Sequence, residues 1–288
     1  MTYDLFLGDR LYSSWSLRGW LACAAFDIPC RTHMMRLYGG KLQDDLRDLA
    51  PAKTVPVLRT PEGAVLWDSL AMAEELATRH PDAGLWPSDP LLRSTARSLV
   101  AEMHSGFAAL RSACPMNLLN AYADSAPSAD TLSDVCRLEM IWGHAFSQHD
   151  GPWLCGEYSL ADVAYAPVAA RIAGYALPVS DRAARYVAAH LAHPRFRQWR
   201  AMGLAAAGAP QYQMPYDTRH WPGPHALDAA ACDGPSVNET CPYSGKPVTD
   251  FLRYDGQIYG FCNAFCRDKT LHDPAAWPAF IALSQRER

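Results

Sequence analysis

The sequence predicts an α/β domain joined to an all-α domain and closed by a small cysteine-bearing module. Three observations carry this. Strand and helix patterns alternate through residues 1–82, helical periodicity alone runs from Leu91 to about Ala207, and Cys232, Cys241, Cys262 and Cys266 crowd into the last quarter. A length of 288 residues suits two compact domains plus an appendage, and a composition 49% hydrophobic and 19% charged supplies enough apolar material for their cores.

Tyr3, Leu5 and Leu7 alternate in a first strand that reaches Gly8. A polar loop, Asp9 to Tyr12, leads to a helix whose apolar residues Leu17, Trp20, Leu21, Ala24 and Ala25 share one face. Asp27-Ile28-Pro29 ends it, and Arg31 to Leu37 reads as a second strand. A leucine-spaced helix around Leu42 to Leu49 follows. Strands Val57 to Arg59 and Ala64 to Trp67 are joined by a Thr-Pro-Glu-Gly turn, and Ser69 opens a helix through Arg79. The order βαβαββα is that of a thioredoxin-like domain, placed at residues 1–82.

His80 to Pro90 is rich in Pro and Asp and reads as a linker. The all-α domain spans 90–207, with breaks near Pro115, Pro127, Gly151-Pro152 and Pro178, and Ser159-Leu160-Ala161-Asp162 has the form of a capping box. Residues 208–237 lose periodicity and read as a wrapping loop or tether. Short strands at Val248 to Tyr254 and Gln257 to Phe261, then a helix-like stretch with Trp277 and Phe280, fill the last module at 238–288.

A formal charge of -4 and the absence of a long basic run argue against nucleic acid. Because the first residues already read as a strand and no apolar stretch approaches a membrane span, a cytoplasmic protein with no membrane partner is expected. Cys23, Cys114 and Cys155 read as buried thiols rather than disulfide partners.

Three short motifs carry chemistry. Asp68-Ser69 lies where a strand gives way to a helix, so Ser69 and the first helical amides suit a carboxylate while Asp68 faces an amine. Thr54-Val55-Pro56 places a proline at a strand start, and a cis bond there offers the Val55 main chain to an extended peptide ligand. Ser13 and Ser14 stand at the head of the first helix, where free amides and a hydroxyl favour a thiolate. The plainer alternative is that both serines are helix caps. Tyr12 is a rival hydroxyl donor that precedes the turn, and Ser16 reads as structural.

The run Tyr12-Ser13-Ser14-Trp15-Ser16-Leu17-Arg18, then Lys53-Thr54-Val55-Pro56-Val57-Leu58, then Asp68-Ser69, resembles the glutathione transferase superfamily over roughly residues 1–207. It is similar to the serine-type bacterial and zeta-like members, whose activating serine stands five residues before a helical arginine, as Ser13 stands before Arg18. The resemblance implies glutathione as substrate, Ser13 as the sulfur's partner, a small electrophile and a homodimer. It implies a glutathione site of Ser13, Ser14, Lys53, Thr54, Val55, Pro56, Asp68 and Ser69, and a second-substrate pocket on the first long helix with Met103, His104, Phe107 and Arg111. Residues Leu154 to Asp162 resemble the family's folding motif, which makes Asp162 a cap. Trp15 departs from the cysteine of the zeta-like Ser-Ser-Cys motif and argues against isomerase activity of that type.

Twenty residues separate Cys241 from Cys262, and Cys262 to Cys266 is an i, i+4 pair whose sulfurs share a face on one helix turn. Three soft ligands converging in this way suit zinc first, with copper or mercury as alternatives and reduced packing thiols as the plain one. The pattern is similar to the TRASH and YHS metal-binding modules, with Ser244 where many zinc knuckles have a further cysteine. Cys232, Asp268, His272 or a water is the candidate fourth ligand. Two functions therefore stand side by side: a glutathione transferase, and a noncatalytic adaptor on that fold whose tail binds or senses a soft metal.

Overall fold

The structure is a computed structural model that describes residues 2–224 and 228–286; Met1, part of the tether and the last two residues of the tail module lie outside the described residues. The chain divides into one unit of residues 1–191 with 211–222, and a second of 192–210 with 223–288.

The first unit begins with β1 (Tyr3–Leu7), α1 (Ser14–Ala24), β2 (Cys30–Met34), α2 (Leu42–Asp45), β3 (Val57–Arg59), β4 (Val65–Leu66) and α3 (Ser69–Arg79). Their sheet has the order β2-β1-β3-β4, with β1 parallel to β2 and antiparallel to β3. This is the thioredoxin-like order expected from the sequence. The strict alternation read in β1 is incomplete because Phe6 is buried as well, packed with Leu46, Leu49 and Val55 on the face opposite Leu5 and Leu7. The second strand stops at Met34 rather than Leu37, and the Leu42 to Leu49 helix is a single turn followed by a 3-10 turn at Arg47–Leu49.

Gly19 fixes how α1 meets the β3 entrance. A Cβ there would lie 2.8 Å from the Pro56 ring, so only glycine lets helix and proline approach this closely. Gly19→Ala is expected to lose about 1–3 kcal/mol to overpacking against about 1 kcal/mol gained in helix propensity. Urea unfolding reads the balance, and a net gain in stability would mean that the ring yields freely.

The helical half follows with α4 (Pro90–Ser105), α5 (Ala108–Ala113), β5 (Ala121–Tyr122), α6 (Ala129–Phe146), α7 (Leu160–Gly174) and α8 (Asp181–Ala192). All of α7 except Ala173 is buried, as befits a helix that is apolar nearly all round. Its start is the expected capping box: Ser159 Oγ accepts from the Ala161 amide and Asp162 accepts from the Ser159 amide.

Two parts of the region read as tether are ordered strands. After α9 (Pro194–Ala205), β6 (Thr218–Arg219) pairs with β5, and β7 (Ala229–Cys232) joins β8 (Asp250–Tyr254) and β9 (Gln257–Phe261) in a three-stranded sheet. Asp255 and Gly256, both at positive φ, form the two-residue turn of the β8–β9 hairpin. The second unit is completed by α10 (Ala264–His272) and α11 (Pro278–Arg286).

The sequence reading places α9 in the helical domain; the contacts group it with the tail. Arg197 makes a two-pronged ion pair with Asp273 at 2.6 and 2.8 Å, Gln198 donates to the Ala276 carbonyl, and Ala201 joins a core of Leu252, Tyr259, Phe261, Trp277 and Phe280. No helix among the described residues is long and apolar enough to cross a membrane.

Candidate functional site

Ser13 caps α1: its Oγ accepts from the Ser16 amide and donates to Ser16 Oγ at 2.8 Å, and Ser16 Oγ also accepts from the Gly8 amide. The plain capping role is therefore real, and Ser16 is structural, fully buried beneath the helix head. Ser13 is only 8% exposed. Ser14, the first residue of the helix, accepts at Oγ from Arg171 Nη2 at 3.3 Å, which ties the head of α1 to α7.

Val55 and Pro56 are buried and joined by a cis bond, while Lys53 and Thr54 are exposed. Among the described residues the Val55 main chain makes no hydrogen bond, in keeping with a backbone kept for an extended partner. Lys53 contributes its carbonyl to Gln43 Nε2.

At the head of α3, Asp68 is itself the cap. Its Oδ1 accepts from the Leu70 and Ala71 amides, so the amides that sequence reasoning offered to a ligand carboxylate are in part already taken. Asp68 Oδ2 lies 3.3 Å from His104 Nε2, and the His104 ring meets Trp15 edge-on at 5.3 Å. His104 thus joins the heads of α1 and α3 from the helical half, a placement that no spacing in the sequence reveals.

Trp15, Arg18, Ser69, Met103, His104 and Val163 are among the residues lining a cleft between α1, α3, α4 and α7. Of the four residues expected in a second-substrate pocket, Met103 and His104 are in this lining. Phe107 is buried against Tyr165 with a left-handed backbone at φ 59°, an uncommon conformation for a bulky residue. Arg111 is half-buried, with its guanidinium 5.2 Å from the Trp15 ring centre.

Sequence reasoning used Arg18 only as a landmark and passed over Arg171. Both are 5% exposed. Arg18 donates Nε to the Ala164 carbonyl and lies 4.4 Å from the Trp15 ring centre, while its Nη1 and Nη2 are buried without a hydrogen-bond partner. Burial first, then Arg171 and Arg111, drive the Arg18 pKa down; Arg171 is brought down to about 10 by burial and by Arg111. The available signal was a lone cation inside an otherwise apolar helical face.

In the tail, the sulfurs of Cys241, Cys262 and Cys266 lie within 4.8 Å of one another. The expected shared helix face is corrected: Cys262 follows β9 and Asn263 caps α10, so only Cys266 is helical, its amide donating to Asn263 Oδ1. Strand end and first helical turn bring the sulfurs together instead. Ser244 Oγ donates to Cys262 Sγ at 3.2 Å. Cys232, Asp268 and His272 do not join the group among the described residues. Burial works to raise the Cys241 thiol, but amides of Cys262, Tyr243 and Ser244 outweigh it and bring the thiol down to about 7; burial pushes Cys266 up to about 12.

Residues 12–79 match the family model "Glutathione S-transferase, N-terminal domain". A maleylacetoacetate isomerase of Pseudomonas aeruginosa is 30% identical over 199 residues, covering 66% of this chain and 91% of the relative. The chain belongs to the glutathione S-transferase family. A probable maleylacetoacetate isomerase of Caenorhabditis elegans is 28% identical over 164 residues, covering 55% of this chain and 73% of that relative. The fold agrees with that of a Burkholderia glutathione transferase homolog solved with bound glutathione, at TM-score 0.55 and 21% identity over 72% of this chain and all of the other. An unclassified glutathione S-transferase of Bombyx mori gives TM-score 0.55 and 20% identity over 69% of this chain and 94% of its own. The chain is thus an enzyme of the glutathione S-transferase family, carrying a tail beyond the part its relatives share.

Proposed function

We propose that this transferase binds glutathione at the heads of α1 and α3 and transfers its sulfur to a small electrophile in the adjoining cleft. The observation that carries this is the meeting of three elements at one point: Trp15 behind Ser13, Asp68 at the head of α3, and His104 between them. The γ-glutamyl end lies against Asp68 and Ser69, with the Ser69 amide and hydroxyl taking the carboxylate. The cysteinyl backbone pairs with Val55, next to Thr54 and Lys53, and the sulfur comes to rest over Ser13 and Ser14.

A free cysteine thiol has a pKa of about 8.5, and lowering it by roughly two units asks for about 2.7 kcal/mol. A hydroxyl hydrogen bond to the thiolate and the positive end of α1 supply an amount of that order. The thiol proton leaves to solvent, and Ser13 turns its hydroxyl from Ser16 to donate a hydrogen bond to the thiolate, keeping its own proton. Attack then forms the carbon–sulfur bond, and the displaced electron pair leaves with the leaving group or moves onto the electrophile. Met103, Phe107 and Arg111 stand on the electrophile's side, with His104 as a polar wall. Retention on immobilised glutathione, lost in Asp68→Ala with folding intact, is the expected result. No binding at millimolar glutathione would sink the reading. A homodimer and a cytoplasmic location go with it, to be read by light scattering and cell fractionation.

A second reading is favoured by the three sulfurs of the tail. Their mutual distances suit one soft cation, zinc first, held by Cys241, Cys262 and Cys266 with a water or outside ligand in the open position. Protein purified without chelator is expected to carry about one zinc per chain, falling to near zero in Cys262→Ser. A metal-free native protein that also fails to take up cadmium would leave the sulfurs as packing thiols. If Ser13→Ala left turnover unchanged while Cys262→Ser abolished function in cells, the adaptor role would replace the catalytic one.

A further inference from the structure

Each of the three tail sulfurs is placed by a different local device. Cys241 opens a tight turn in which its carbonyl accepts from the Gly245 amide and its amide donates to the Lys246 carbonyl, with Gly245 at φ 68°. Cys262 follows β9, and Ser244 Oγ and Asn263 Nδ2 donate to its sulfur at 3.2 and 3.4 Å. Cys266 stands in the first turn of α10, its sulfur 4.0 Å from that of Cys262. Cys241 is 2% exposed within the core of Leu252, Phe261, Trp277 and Phe280, and the other two cysteines are half-buried against it. Thiols that served only as small apolar fillers would have no need to converge.

The number of donors narrows the choice of ion. Among the described residues no histidine, carboxylate or fourth cysteine joins the three sulfurs. A tetrahedral dication is left with an unfilled position and, on three thiolates, a net negative charge beside an apolar core. Lys269, its ammonium over the Tyr243 and Trp277 rings, offsets part of that charge but adds no ligand. A trivalent arsenic or antimony centre meets neither difficulty. Its three bonds and one lone pair form a pyramid that three sulfurs complete, and three thiolates cancel its charge. Thiolate is also the donor that so soft a centre prefers.

We infer that the tail binds one trivalent arsenic or antimony centre through Cys241, Cys262 and Cys266. This rests on the reading of the tail as a soft-ion site and names the ion class that its three donors complete. Arsenous acid exchanges its three hydroxyls for three thiolates: three arsenic–oxygen bonds break, three arsenic–sulfur bonds form, and each thiol proton leaves with a hydroxyl as water. In zinc-loaded protein the zinc leaves as the dication and the three protons come from solvent. Arsenic stays trivalent throughout, so no reductant is consumed.

Full-length protein as purified, titrated anaerobically with sodium arsenite, is expected to take up one arsenic per chain with three sulfur neighbours by arsenic X-ray absorption. Any zinc it carries is released in step, as read with a chromogenic chelator. Mapping by iodoacetamide is expected to find Cys241, Cys262 and Cys266 protected together. These readouts use the native chain and need no variant to fold. Each linked thiol adds through its effective concentration, so Cys262→Ser and Cys266→Ser are each expected to weaken arsenite binding by about 100-fold. Cys232→Ser, whose thiol lies outside the group, is expected to keep the native affinity. An arsenic with two sulfur neighbours and one oxygen, or an affinity unchanged in both Cys262→Ser and Cys266→Ser, overturns the inference. Cadmium uptake at the three cysteines without arsenite binding also overturns it and leaves the soft-ion reading standing. Failure of arsenite, zinc and cadmium alike sinks both. Arsenite held on three sulfurs by a protein that takes neither zinc nor cadmium upholds the inference and sinks the zinc assignment alone.

Discussion

Replacing Ser13 by alanine is expected to lower kcat/KM for glutathione conjugation by about 100-fold, the usual loss when one aimed hydrogen-bond donor is removed from a developing or resident anion. The same change removes the α1 cap, worth about 1 kcal/mol, so stability must be measured beside activity. That loss leaves an ordinary domain folded. The pH profile tells the two effects apart. If Ser13 holds the thiolate, the pKa seen in kcat/KM moves alkaline by about one unit or more in the variant; a purely structural serine leaves the profile in place.

Ser14→Ala is the necessary comparison, because Ser14 Oγ already accepts from the buried Arg171 guanidinium and, among the described residues, its own proton is given to no neighbour. Ser13, by contrast, spends its proton on Ser16 in the structure. A larger activity loss in Ser14→Ala than in Ser13→Ala would move the sulfur one residue along the helix and overturn the assignment to Ser13.

The elements that carry the site were legible because their signals are local. A serine before an amphipathic run, a proline before an apolar strand and an aspartate before a helix each mark an end, and those ends became the heads of α1 and α3 and the entrance to β3. What escaped was long-range. Arg18 and Arg171 stand far apart in sequence, each inside an apolar helix, and only the packing of α1 on α7 gathers them. The His104 contact with Asp68 likewise joins two helices that no periodicity relates. In the tail, β7 is Ala-Ala-Ala-Cys, without the β-branched or aromatic residues that announce a strand, and β5 and β6 are two residues each. Cys262 and Cys266 were recognised by spacing, but the helix begins between them because Asn263 is the better cap.

The largest expected effect on stability falls on Asp162. Its Oδ1 accepts from the Leu154 amide and the Tyr186 hydroxyl, its Oδ2 from the Ser159 amide and hydroxyl, and the side chain is wholly buried. Asp162→Ala strands buried donors and breaks the capping box at once, with an expected loss of about 3–5 kcal/mol. The carboxyl also gives the fold a pH dependence of unusual sign. Burial raises its pKa to about 6, against the opposing pull of its hydrogen bonds. The folded chain then holds this proton where the unfolded chain, with a pKa of 3.8, has released it. Stability from this group is complete below that value and is lost as pH climbs through about 6, a change of about 3 kcal/mol. Asp162→Asn cannot ionise, so the stability of the native protein relative to this variant is expected to fall by that amount between pH 4 and 7 in urea unfolding. A relative rise over the same interval would show that the four donors outweigh burial and that Asp162 is a firmly ionised carboxylate in the folded protein.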